Sequence, residues 1–377
     1  MSATGFDVRF GIEEEFFLSR RGSGALVPQV PRTLIADARR ELGESISAEL
    51  LQSQIEISSP ILHDADEAHR RMRALRRGLA DVAAHHELRL LAAGTHPLGA
   101  WREQNITAKP RYLELLDDFQ IVARRSLVCG MHVHVEIPSD VDRIQVMNRA
   151  MPWLPLFLAL STSSPFWNRQ RTGLLSYRQS MYDEWPRTGI PDFFADQAEY
   201  DAFAALLVRS GAMSDARSLW WGIRPARLHP TLELRIADAC TRLEDTIAIA
   251  QLYRCLIRAL LRQPHLGAER TTFTRRVIEE NRWRAKRFGL EARLLREEGD
   301  PEPVADELAR LLDLCREDAD ALGVAESLAT LKAILARGTS AHRQLAIYHE
   351  QRRRGATRAQ ALVPVVEWLM ETTVLDD

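Results

Sequence analysis

Two short segments carry metal-ligand side chains at every second position: Phe10-Gly11-Ile12-Glu13-Glu14-Glu15-Phe16-Phe17-Leu18 and Cys129-Gly130-Met131-His132-Val133-His134-Val135-Glu136-Ile137. A β-strand sends successive side chains to opposite faces, so Glu13 and Glu15 share one face, and His132, His134 and Glu136 share another. On the other side lie Val8, Phe10, Ile12, Phe16 and Leu18, interrupted by Glu14, and Cys129, Met131, Val133, Val135 and Ile137. Each strand is therefore expected to have one core face and one chemical face. For a single strand, simple solvation of the polar face would be explanation enough.

The design recurs, however. In the stretch from Glu49 to Ile57, Leu51, Ile55 and Ile57 alternate with Gln52, Gln54 and Glu56; from Thr231 to Ile236, Leu232, Leu234 and Ile236 alternate with Glu233 and Arg235. These faces offer carboxylates, imidazoles, amides and a guanidinium, the groups that hold divalent metals and phosphates. If the four faces converge, Glu13, Glu15, Glu49, Glu56 and Glu233 repel one another, at a cost of several kcal/mol per ion unless cations neutralise them. Such a sheet calls for Mg²⁺ or Mn²⁺.

The elements that must position these groups are legible in outline. Asp64 can cap a helix whose Ala68, Met72, Leu75, Leu79 and Val82 form a buried stripe, with Arg70, Arg71, Arg73, Arg76 and Arg77 on a solvated face. Leu88 to Gly94 reads as a buried strand ending in a turn at Thr95-His96-Pro97, and Val141 to Leu160 as a core helix. The Trp185-Pro186-Arg187-Thr188-Gly189-Ile190-Pro191 stretch, rich in turn formers, suits a loop over a site. Trp220 and Trp221 read as packing residues. Beyond about residue 240 the pattern is helical: Thr241 and Glu244 make a capping-box pattern before an apolar run to Leu261, and Gly323 and Gly338 stand at expected helix ends. With no linker or repeat, residues 1–377 are expected to form a single α+β domain, mixed over about 1–240 and helical over about 241–377.

The balance of 50 Lys+Arg against 52 Asp+Glu leaves a net charge of -2 and implies no general attraction to nucleic acid or anionic membrane. Only Lys109, Lys286 and Lys332 are lysines, so phosphate recognition falls mainly to Arg. No secretory leader or membrane span is read, and Cys129, Cys240, Cys255 and Cys315 have no metal-finger spacing; a cytoplasmic protein is expected. There is no Walker A sequence, no HExxH and no serine nucleophile elbow, and Gly22-Ser23-Gly24 reads as a turn. Any ATP must therefore be held by metals and Arg side chains.

The segments GIEEEF, ELLQSQIEI, AAGTHP, CGMHVHV, LSTSSPFW, SYR, WWGIRP, TLELRIAD, NRWRAKRFG and RGTSAHRQ follow one another across the chain. In that order they resemble the glutamate-cysteine ligase type 2 family, whose bacterial members are YbdK-type carboxylate-amine ligases. The resemblance implies a glutamine synthetase-like catalytic fold, a curved antiparallel sheet forming a funnel with metals inside and helices outside. It places Glu13, Glu15, Glu49, Glu56, His132 and Glu233 at metal positions, with His134 beside them as a supporting or substrate-binding group. Arg178 and Arg235 match positions that contact the substrate carboxylate or the transferred phosphoryl group; Arg224 and Arg287 are further phosphate candidates.

Gly222 stands where the family commonly has Asp, and Leu228-His229-Pro230 replaces an aromatic-Gly pair, changes that bear on substrate identity more than on catalysis. The expected function is ATP- and Mg²⁺- (or Mn²⁺-) dependent ligation of a glutamate-like carboxylate to an amine such as cysteine, through an acyl phosphate. The expected partners are small amino-acid substrates, without nucleic acid or membrane, and a homo-oligomer is compatible with the sequence. Guanidino-group phosphorylation, metal-dependent amide hydrolysis through His132 and His134, and non-catalytic metabolite binding are the competing readings.

Overall fold

The computed structural model describes residues 7–375; Met1 to Phe6, read above for a leader, lie outside the described residues. Its centre is the long strand β1 (Phe10–Arg20). The next two strands, β2 (Ile46–Ala48) and β3 (Gln54–Ser58), follow helix α1 (Arg32–Leu42), and helix α2 (Ala65–His85) leads to β4 (Leu88–Leu91). Helices α3 (Pro110–Phe119) and α4 (Ile121–Arg124) precede β5 (Met131–Glu136), and α5 (Arg143–Ala150) and α6 (Leu154–Ser161) follow it. A small separate hairpin, β6 (Phe166–Trp167) and β7 (Gln170–Arg171), comes before α7 (Tyr177–Tyr182) and α8 (Gln197–Arg209). Strands β8 (Ile223–Pro225) and β9 (Thr231–Leu234) complete the sheet.

The strand order is β2-β3-β1-β5-β9-β8, with β4 also pairing β1, and each pairing is antiparallel. Because β1 is long, it takes β3 along one edge while β5 and β4 divide the other. The expected apolar face is the core: Phe10, Ile12, Phe16, Leu18, Ile55, Ile57, Met131, Val133, Leu232 and Leu234 join α2 and the long α9 (Leu243–Arg262) in one cluster. Of the later helices, α10 (Thr272–Phe288) packs on α6, α11 (Val304–Leu314) and α12 (Arg316–Leu322) lead to α13 (Ala325–Arg337), which packs on α9, and α14 (Ser340–Arg353) packs on α15 (Arg358–Val374). Helix α15 covers β4, placing Leu362, Val365, Val366 and Leu369 in a second cluster with Phe17 and Leu91. Among the described residues no helix is long and apolar enough to cross a membrane.

Several local expectations change. The strand read over Glu49 to Ile57 is broken by a turn in which Gln54 N–H donates to Leu51 O at 3.0 Å, so Glu49 lies in the connection between β2 and β3. Arg76 is buried with Glu14 rather than solvated. Cys129 precedes β5 and meets Gln54 Nε2 at 3.3 Å instead of joining the apolar face. Thr241 does not cap α9, because its hydroxyl is engaged with Ala92 O and Ser340 Oγ. As expected, Asp64 caps α2 and Gly323 and Gly338 end their helices.

Candidate active site

Strand register assembles the polar face. Glu13 lies opposite His132, Glu15 opposite Glu56, His134 opposite Glu233, and Arg224 opposite Glu233. Directly opposed residues share a face, with Cβ atoms about 4.5–5.5 Å apart, so antiparallel pairing alone gathers ligands from four strands. Glu49 reaches the same place from its loop.

Three sets of ligand atoms each lie within 4.8 Å of one another: Glu13, His134 and Glu233; Glu13, His132 and Glu56; and Glu15, Glu49 and Glu56. Glu13 joins the first set to the second, and Glu56 joins the second to the third. His132 Nδ1 is 3.1 Å from Glu13 Oε2, and His134 Nδ1 is 3.0 Å from Thr231 Oγ1. His132 Nε2 is buried without a hydrogen-bond partner, and His134 Nε2 lies 3.5 Å from Glu13 Oε1. Carboxylates and imidazoles with spare lone pairs in overlapping sets fit divalent cations such as Mg²⁺ or Mn²⁺.

The electrostatics divide the cluster. Burial, together with Glu13, Glu49 and Glu15, pushes the Glu56 carboxyl far up, and burial also raises Glu15 and Glu49. Burial works in the same direction on Glu13 and Glu233 but is outweighed, by hydrogen bonds from His132 and His134 in one case and by Arg235 and Arg224 in the other, so both stay ionised. Burial and the Arg235 charge lower His132, whereas Glu13 and Glu233 raise His134 against the effect of burial.

The arginines differ in engagement. Arg235, just past β9, contacts Glu233, whose other oxygen accepts from Arg224 Nε at 2.8 Å. Arg178, on α7, is 1% exposed. Its guanidinium meets the carbonyls of Arg235 and Ile236 only at 3.3–3.5 Å, lies 4.7 Å from the Tyr182 ring centroid, and leaves Nε without a partner. Arg287 is not brought to this cluster; its guanidinium lies over the Phe288 ring on α10. His96, in its turn, is buried against Ser19 Oγ, and burial lowers it to about 3. The loop at Trp185 to Pro191 is tied beside Arg235, since Gly222 N–H donates to Gly189 O and Arg235 N–H to Gly222 O, each at 2.8 Å.

Two residues beside Glu49 escaped sequence reading. Lys109 Nζ and Tyr112 Oη donate to Ala48 O at 2.7 and 3.0 Å, bringing the start of α3 over the loop that carries Glu49. Lys109 had a signal, as one of three lysines in an Arg-rich chain; Tyr112 had none.

The family described as glutamate-cysteine ligase family 2 matches residues 9–362. A Bradyrhizobium diazoefficiens protein named "Putative glutamate--cysteine ligase 2" is 42% identical over 365 residues, covering 97% of this chain and 84% of its own. A Rhodospirillum rubrum protein of the same name is 42% identical over 369 residues, covering 97% and 95%. Among solved structures, the glutamate-cysteine ligase of Francisella tularensis in complex with AMP superposes with a TM-score of 0.70 at 12% identity, over 98% of this chain and 90% of that one. A bifunctional glutathione synthetase from Pasteurella multocida gives 0.69 at 13% identity over 97% of this chain, which spans only 52% of that one. The fold is that of these structures.

Proposed function

The chain belongs to glutamate-cysteine ligase family 2, and on that premise we propose that it is an ATP-dependent carboxylate-amine ligase joining a glutamate-like carboxylate to a small amine such as cysteine. The observation that carries the proposal is the trio of overlapping ligand sets on one sheet face, with the buried Arg178 beside them. Three adjoining cation positions suit a triphosphate and an incoming carboxylate, which together bring more negative charge than one ion offsets.

In this reading a substrate carboxylate oxygen attacks the γ-phosphorus of ATP, the bond to ADP breaks, and an acyl phosphate forms. The amine nitrogen then attacks the acyl carbon, the carbon–oxygen bond to phosphate breaks, and the nitrogen loses a proton. Glu13, Glu15, Glu49, Glu56, His132 and Glu233 would hold the metals, which supply neutralisation of the phosphate and carboxylate oxygens. Arg178 and Arg235 place guanidinium donors where charge builds up, and one such donor is typically worth about 2.7–4 kcal/mol. Arg224 fixes Glu233 between two cations, and His134 steadies Glu13. A cavity of about 340 Å³ opens on Glu13 and His134 between Ser59 and His229 and gives the nucleotide its entry. We take residues 1–377 as one catalytic unit working in the cytoplasm on small amino acids.

The test is a screen of carboxylate and amine pairs with Mg-ATP, following phosphate release and product mass. Amide formation requiring all three components is expected. ADP release without amide would indicate phosphoryl transfer instead, and turnover without ATP a hydrolase. A folded, metal-loaded sample inert towards every pair would defeat the ligase reading.

A further inference from the structure

We infer that Asp238 is a positioning residue for Arg178, acting from behind it through the backbone of α7. The inference rests on the ligase reading for what Arg178 does, but not for how it is held.

Asp238 is fully buried, three residues beyond Arg235. Its Oδ2 accepts from Ser163 N–H at 3.0 Å and Ser164 Oγ at 2.7 Å, and its Oδ1 accepts from Ser176 Oγ at 2.8 Å. One carboxylate thus joins the end of β9 to the Ser161–Ser164 segment and to the start of α7. Donating to Asp238 turns the Ser164 hydroxyl so that a lone pair receives Arg178 N–H, at 3.1 Å. Ser164 O accepts from Tyr177 N–H at 3.0 Å, and Gln344 Nε2 on α14 holds Ser163 O at 2.7 Å. A helix of six residues has little rigidity of its own, and these bonds supply it.

Space has been cleared for both groups. A Cβ on Gly130 would lie 2.2 Å from Arg178 Nη2, and one on Gly94 would lie 2.7 Å from Asp238 Cγ. Gly130 N–H also donates to Glu15 Oε2 at 2.5 Å, so the glycine that admits the guanidinium is bonded to a proposed metal ligand. Beyond the Tyr182 ring, itself on α7, the Arg178 guanidinium has only long hydrogen bonds to carbonyls, so its location is set by the backbone that Asp238 anchors. Asp238 sits behind that arginine and does not reach the polar face.

The experiment uses the full-length protein and two readouts. Hydrogen exchange of Asp238→Asn should be faster in residues 176–182 and unchanged in β1 and β5. A double-mutant cycle with Arg178→Lys follows turnover of the best carboxylate-amine pair. Since a misplacement of roughly 1 Å can cost about 100-fold, Asp238→Asn should lower kcat by about that factor in the native background and have little further effect once Arg178 is Lys. Equal losses in both backgrounds, or unchanged exchange in residues 176–182, would overturn the inference. Ser164→Ala, which removes only the link from Asp238 to Arg178 N–H, gives the same two readouts if Asp238→Asn does not fold. A native protein inert towards every pair would sink the ligase reading, while the exchange result would still decide whether Asp238 holds α7.

Discussion

Arg76 grips Glu14 with two parallel bonds, Nε to Oε2 at 2.8 Å and Nη2 to Oε1 at 2.6 Å. Its remaining donors reach the carbonyls of Cys240, Thr241 and Thr373. The one carboxylate on the apolar face of β1 is thus the point at which the sheet, α2, α15 and the approach to α9 are tied together. Removing one partner of such a pair strands a buried charge, so Glu14→Gln should lower unfolding free energy by about 3–5 kcal/mol. Glu13→Gln, one residue away on the other face, should cost less stability than Glu14→Gln, because its loss of the His132 and His134 contacts is offset by relief of repulsion from Glu56, and should abolish metal-dependent turnover. Denaturant titration with activity per folded molecule checks both; equal stability of the two variants would contradict the assigned faces.

Glu56 carries the heaviest electrostatic load in the cluster: it is buried, faces Glu13, Glu15 and Glu49, and has one short bond, from Ser47 Oγ at 3.1 Å. Neutralising it relieves repulsion only when no cation is present. Glu56→Gln should therefore raise the Tm of protein stripped with a chelator and shrink the further rise produced by Mg²⁺ or Mn²⁺. A stripped Glu56→Gln protein less stable than the stripped native one would mean that the cluster does not repel itself.

Both chemical faces were legible because alternation is local: the positions of Glu13, Glu15, His132, His134 and Glu233 follow from a period of two, as does the approach of Arg235 to Glu233 two residues earlier. Glu49 was found by residue type, but the turn at Leu51 to Gln54 was not, since the apolar alternation continues through it. Arg76 looked like one more arginine on a solvated helix face, because its partner Glu14 lies 62 residues away. The same limit hid Lys109 and Tyr112 above Glu49, and Asp238 behind Arg178. Period reveals which face a side chain takes, not which distant segment comes to meet it.

Asp245, in the first turn of α9 and clear of the metal cluster, offers a pH readout. Burial lifts its carboxyl to about 6 in spite of Arg337 and Arg242, with Glu244 adding repulsion. The folded pKa lies above the unfolded value near 3.8, so the folded protein holds this proton more tightly. The resulting stabilisation is complete below the unfolded pKa and is lost as pH rises through about 6. Asp245→Asn does not titrate, so native stability minus variant stability should fall by roughly 2–3 kcal/mol between pH 4 and pH 7. A pH-independent difference would show that Asp245 is ionised throughout.

Arg235 allows a catalytic guanidinium to be separated from a structural one, because its carboxylate partner is held twice. Glu233 contacts Arg235 and also accepts from Arg224 Nε at 2.8 Å, so a weaker cation at position 235 still leaves a paired charge. The backbone around it is fixed independently by Arg235 N–H donating to Gly222 O at 2.8 Å. Lysine keeps the charge but lacks the planar fork that meets two oxygens of a carboxylate or phosphate together. Arg235→Lys should therefore lower kcat by about 10²–10³-fold, as expected when a donor to developing charge is lost, with a nearly unchanged Tm. Removing Arg224 instead should cost stability together with activity, since its other donors hold the carbonyls of Arg217 and Leu219. Near-native turnover in a destabilised Arg235→Lys protein would take Arg235 out of the chemistry and leave Arg178 as the guanidinium that meets the transferred group.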